Sequence, residues 1–186
     1  MFAYSIALFL HLVGVLALFA GIAIEQTALR RLRNAASLAQ VREWMTLLRG
    51  LRRIDAPAGL TILLSGGYLM GHGAGYHAWV AAGIIGMVVM AVLGVAVGRP
   101  RFLAIASALP ATDGLVASSL RTRLQDPILR ASAAMRAALG LGIVFDMVVK
   151  PAAVGAVIAF VVALLIGAAS SLRGRVVARG TVAASE

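Results

Sequence analysis

No cysteine occurs anywhere in the chain. Disulfides, thiolate metal sites and cysteine nucleophiles are excluded with it. Acidic residues are scarce too, seven Asp and Glu against seventeen Lys and Arg, and Lys150 is the single lysine. Charged residues are only 13% of the 186, while 61% are hydrophobic and the mean hydropathy is +0.96. That balance is far from the globular average and belongs to the membrane class. The common motifs are missing as well: no Walker loop, no dinucleotide glycine fingerprint, no GxSxG and no HExxH. The many glycines stand mostly inside apolar segments, where they serve helix packing.

What is present is long apolar sequence. Ile128 to Ser170 is a helical pattern of 43 residues. A hydrocarbon core of about 30 Å takes about 20 helical residues, so this stretch is too long for one crossing. Lys150-Pro151 divides it, because proline lacks the amide donor and clashes with the preceding turn. Lysine at such a boundary can extend its amine to the headgroups. The expected fold is all-α, a polytopic bundle with spans at 4–24, 58–70, 78–97, 129–149 and 152–170, a four-helix unit plus a fifth C-terminal span. Residues 1–172 form one domain, and 173–186 a basic, then small polar, cytoplasmic tail expected to be disordered.

Residues 35–53 place Leu38, Val41, Met45 and Leu48 at helical spacing with arginines on other faces. Two readings stand: an amphipathic helix in the inner interface with Trp44 at headgroup level, or a cytoplasmic extension of span two. Asp55-Ala56-Pro57 has the form of a helix start, cap residue then first-turn proline. Thr61, Ser65, Gly66 and Gly67 give span two a small face for close packing. The turn GHGAGYH (71–77) holds no arginine or lysine, and Tyr76 and Trp79 stand where an aromatic belt belongs. Gly83, Gly86 and Gly94 lie along span three. In the second interfacial segment, 99–124, residues 102–109 dip into the interface up to Pro110, and 112–124 make a short helix. Asp126-Pro127 starts the fourth crossing.

Arginine counting orients the bundle. Seven lie between spans one and two, six between Arg99 and Arg136, and three after span five. Five crossings put all sixteen on one side and leave only Lys150 on the other, which the positive-inside rule favours. The N-terminus is then outside, in keeping with a start, MFAYS, that lacks the positive region of a cleaved signal. Arginines that flank apolar spans bespeak topology and contact with anionic lipid, not nucleic-acid binding, despite a net charge of +10.

The residues able to carry chemistry are few. His11, His72 and His77 all fall in the outer half. Tyr4, His11, Gly14, Leu18, Gly21 and Glu25 share a stripe of span one that should face the bundle. Glu25, near the inner end, is a structural polar residue with Arg130, Arg136 or an interfacial arginine as partner. Asp146 and Lys150 stand i, i+4 with the acid first, the favourable order for a helix ion pair. A sharper reading joins them with His11 in an outer-leaflet polar cluster, closed from the loop by His72 or His77. Imidazoles there suit haem b iron or copper, with Asp146 orienting a ring nitrogen, or a proton relay.

FLHLVGVLALFAGIAIEQTALR, with Leu10-His11 and then Gly21, resembles the first helix of a group of small bacterial membrane proteins. GLTILLSGGYL followed by Trp79 is similar to their second and third helices. FDMVVKP (145–151) resembles the Met-x-x-Lys-Pro ending of an uncharacterised family of integral membrane proteins in that group. More distant members are the copper-resistance D proteins and the HemJ-type protoporphyrinogen oxidases. The resemblance covers 1–151, and Asp146 and the fifth span lie outside its pattern. It implies the bacterial inner membrane, and haem binding at His11.

Three functions are therefore expected in order: a haem- or metal-associated inner-membrane protein centred on His11; a non-catalytic subunit or assembly factor, homo-oligomeric or docked on a membrane-protein partner; and a small transporter.

Overall fold

The computed structural model describes residues 2–75 and 77–183, without the side chains of Ala74 and of 170–183. Tyr76, the C-terminal three residues and the side chains of the basic run after Ser170 lie outside the description. The chain is all-helical, with no strand among the described residues. In order come α1 (Phe2–Arg33), α2 (Leu38–Leu69), α3 (Ala78–Val92), α4 (Arg99–Ser107), α5 (Ser118–Leu124), α6 (Pro127–Val149) and α7 (Ala153–Ala183). A π-helical turn, Met70–Ala74, closes α2, and a second, Leu93–Gly98, joins α3 to α4. Among the described residues three helical stretches are long and apolar enough to cross a membrane: Phe2–Arg33, Ala78–Ser107 and Ser118–Val149.

The arrangement inverts that of a water-soluble protein. The main buried core lies at the arginine-rich end, where Leu29, Leu32, Leu38, Val41, Met45, Ile105, Leu120, Leu124 and Leu129 close on one another. Away from it, the apolar surface faces outward: Leu16 is 70% exposed, Leu64 67% and Val148 75%. An apolar band of that extent is what a bilayer covers.

α1 and α2 form an antiparallel hairpin. Tyr4 abuts Gly73, His11 abuts Gly66, and Gly21 abuts Asp55. At Gly14 the backbones come so close that a Cβ would lie 2.9 Å from Ile62 Cγ1 and 3.2 Å from the Ala58 carbonyl. Ser37 caps α2, accepting from the Gln40 amide at 3.4 Å, while Gln40 Oε1 accepts from the Ala36 amide at 2.9 Å.

The helix start expected at Asp55-Ala56-Pro57 is not there; α2 runs through it with Pro57 inside. Leu48, Leu51, Ala58, Ile62 and Ser65, buried on both sides of the proline, hold one continuous face. That packing offsets the roughly 3 kcal/mol an interior proline costs. Residues 38–53 are thus continuous with the rest of α2, and their apolar stripe is core. The segment 99–124 also folds onto this core: α4 starts and ends earlier than the 102–109 of its sequence pattern, α5 is shorter than the expected 112–124, and 108–117 is non-helical. Arg42 clamps that loop through Asp113 and the carbonyls of Pro110 and Thr112.

α6 opens on Asp126, whose carboxylate accepts from the Ile128 amide at 2.8 Å and from Arg101 Nε at 3.0 Å. It ends where Lys150 turns left-handed at φ 51° ahead of Pro151. α7 returns along α6, with Gly142 against Ala163 and Gly167 against Met135. Its backbone continues helically to Ala183, through residues assigned to the tail, because no proline follows Pro151.

Candidate functional site

A cavity of 370 Å³ lies where the apolar bundle meets the basic core, walled by α1, α2, α3, the Leu93–Gly98 turn, α4 and α6. Its upper walls are apolar, Leu18, Ile22, Met87 and Met90; its lower lining carries Glu25, Arg52, Asp55, Arg99 and Arg136.

Each charged group has a structural reason to be there. Glu25, 8% exposed, closes the small-residue stripe of α1 and accepts from Arg136 Nη2. Of the partners expected for Glu25, Arg136 is the one paired with it. Arg136 reaches across because Gly94 is opposite: a Cβ there would stand 3.4 Å from Arg136 Nη1. The π turn that carries Gly94 is tied to α6 by Ser132 Oγ, which donates to the Leu93 carbonyl at 3.1 Å. Gln26 Nε2 donates to the Ala133 carbonyl at 2.8 Å and fixes α1 against α6 one turn below. Asp55, half-buried, presses one carboxylate oxygen onto Gly21, and that oxygen has no hydrogen-bond partner. Arg52 lies over the Phe102 ring, 5.4 Å from its centroid. The arrangement offers fixed charges of both signs at the foot of an apolar slot.

The other sequence-selected residues lie elsewhere. His11 Nδ1 is 3.2 Å from the Ile62 carbonyl and 3.2 Å from Ser65 Oγ. It is therefore held by α2. His72 is exposed, stacked on Tyr68 at 4.0 Å and hydrogen-bonded through Nδ1 to the Tyr68 carbonyl at 3.0 Å. His77 stacks on Trp79 with centroids 6.1 Å apart, and Lys150 Nζ lies 5.7 Å from the Trp79 centroid. These three, with Tyr4 and Pro151, line an open recess of 610 Å³ at the opposite end of the bundle.

Asp146 is fully buried, and neither of its carboxylate oxygens has a hydrogen-bond partner. The Asp146–Lys150 ion pair expected from spacing is not formed, because Lys150 has left the helix and its side chain follows the turn toward Trp79. The structure brings His77 and Lys150 together, but joins His11 to neither Lys150 nor Asp146 by any hydrogen bond or ion pair. Among the described residues no group of three or more His, Asp or Glu is gathered to hold a metal ion.

Sequence reasoning missed Asp55, Arg52 and Arg99 as site residues. The signal was available: once 38–69 is one helix, Leu48, Leu51, Asp55, Ala58, Ile62 and Ser65 share a stripe, and Asp55 falls on the buried face.

Fold and site together define a class, an all-helical protein with helices fit to cross a membrane and a charged cavity at one end of its apolar bundle. Comparison with protein families, with curated proteins and with solved structures gives no match.

Proposed function

We propose that the chain is a five-span protein of the bacterial inner membrane, N-terminus outside and C-terminus in the cytoplasm, that binds an amphipathic small molecule in the 370 Å³ cavity. The hairpin contacts support the crossing of α2. From Tyr4–Gly73 to Gly21–Asp55, α2 accompanies α1 over 17 residues of α1, about 26 Å at 1.5 Å per residue. Fifth-span status for α7 is supported by its packing along α6 and its exposed apolar residues Val157, Ile158 and Leu165. Sorting of all sixteen arginines to one side supports the orientation. The bacterial inner membrane rests on the resemblance of Leu10-His11 and Met147 to Pro151 to small bacterial membrane proteins.

One observation carries the binding reading: the cavity changes character along its length, apolar beside Met87 and Met90, ionic at Glu25, Asp55 and Arg136. Its occupant must be divided in the same way. The test is mass spectrometry of solvent extracts from purified protein. One stoichiometric amphiphile is expected, and Ala91→Trp, which fills the cavity, should abolish it while helix content and monodispersity persist. Wild-type protein that carries none from two unrelated detergents overturns the proposal.

A second reading, a haem-associated protein, is favoured by the environment of His11. A backbone carbonyl on Nδ1 fixes the ring and leaves Nε2 as the lone-pair nitrogen, the arrangement that orients ligating histidines. Haem iron accepts a single axial imidazole, whereas copper asks for ligands that the described residues do not assemble. A Soret band in purified protein, lost in His11→Ala, would establish this reading; a colourless wild type would remove it.

A further inference from the structure

The cavity has a side door. α2 packs along α1, and α1 in turn on α6, but no comparable packing joins α2 to α3. The gap between them borders the cavity at Gly59 of α2 and Ala91 of α3, residues too small to close it. At its foot stand Arg52 and Arg99, both exposed, from two different helices. Neither takes part in an ion pair or a side-chain hydrogen bond among the described residues; Arg52 lies on Phe102 and interacts with the Asp55 carboxylate through charge alone. Of the acids nearby, Glu25 is paired with Arg136, and Asp55 turns one carboxylate oxygen onto Gly21 and forms no ion pair. The mouth therefore presents two guanidinium groups outside any ion pair, beneath an apolar slot that opens between α2 and α3.

Resting on the cavity reading above, we propose that the occupant is an anionic phospholipid of the arginine-side leaflet. It enters between α2 and α3, one acyl chain along Met87 and Ala91 and its phosphate between Arg52 and Arg99. A phosphodiester offers oxygens to both guanidinium groups at once, and charge-assisted bonds to phosphate are the strong ones. A carboxylate is satisfied by a single arginine fork and leaves the second arginine idle. The second acyl chain remains in the bilayer, since the slot is open on that side.

Native mass spectrometry of the full chain, titrated with phosphatidylglycerol, phosphatidylcholine or inorganic phosphate, tests this. One phosphatidylglycerol should survive detergent removal, with phosphatidylcholine held about tenfold more weakly. Arg52→Ala/Arg99→Ala should lower phosphatidylglycerol affinity by about tenfold or more, and Arg52→Lys/Arg99→Lys should fall between. Arg49→Ala/Arg53→Ala removes equal charge outside the cavity lining and should leave affinity unchanged. Equal loss in that control overturns the proposal in favour of diffuse surface attraction, and competition by inorganic phosphate overturns it in favour of a soluble-anion site. A chain that keeps another amphiphile but ignores phosphatidylglycerol overturns this inference alone, leaving the cavity reading in place. Size-exclusion and helix content accompany each variant, and the lysine pair retains the test should the alanine pair misfold.

Discussion

Glu25 and Arg136 show what a buried ion pair does at the residue scale. Their side chains are 11% and 16% exposed. Removing one partner strands the other charge, which typically costs about 3–5 kcal/mol, while replacing both with apolar residues of similar volume is often near neutral. Glu25→Ala should therefore lower the melting temperature in detergent sharply, and Glu25→Leu/Arg136→Met should recover most of the loss. A double variant as unstable as the sum of the singles would show that the two charges act independently. His11 makes a milder case. Its Nδ1 joins α1 to the Ile62 carbonyl and Ser65, so His11→Ala should destabilise the hairpin by about 1 kcal/mol even with no cofactor lost.

Elements are set by packing as much as by local sequence. Pro57 interrupts the backbone hydrogen bonding of α2, yet the helix persists because α1 holds both halves. Pro57→Ala restores that bond and should raise the melting temperature, with an unchanged far-ultraviolet helix signal; a fall would show that the proline itself is needed for packing. Close helix approach makes the opposite prediction at Gly167. A Cβ there would lie 2.7 Å from the Met135 Cα, a backbone atom that cannot move aside. Gly167→Leu should prise α7 from α6, seen as faster proteolysis of the C-terminal helix. Gly59→Ala, with nothing within 4 Å, should be silent in the same assay.

At the scale of the whole molecule, absence of cysteine becomes useful, since any introduced thiol is the only one. Single cysteines at His72 and Ser118 should behave oppositely in intact cells. The first should react with an impermeant maleimide, and the second only after the membrane is opened. Labelling of both from outside would break the proposed orientation and with it the assignment of the cavity to the arginine-side leaflet.

Much of this was legible in the residues. Long apolar runs demand helices because lipid offers no partner to a free amide, and that demand needs no tertiary information. Asp126-Pro127 and Lys150-Pro151 mark helix ends through chemistry confined to neighbouring residues. By contrast, the choice between a helix start and an interior position for Pro57 depended on α1, far away in sequence, supplying a continuous surface. Glu25 is 111 residues from Arg136, and only the rotation of α6 and the open Gly94 decide that they meet. Spacing alone paired Asp146 with Lys150, and the left-handed turn at Lys150 undid it. Hydropathy is a property of each segment by itself, so sequence settles which segments are apolar helices; a cavity is a property of faces from several helices at once, and only their packing creates it.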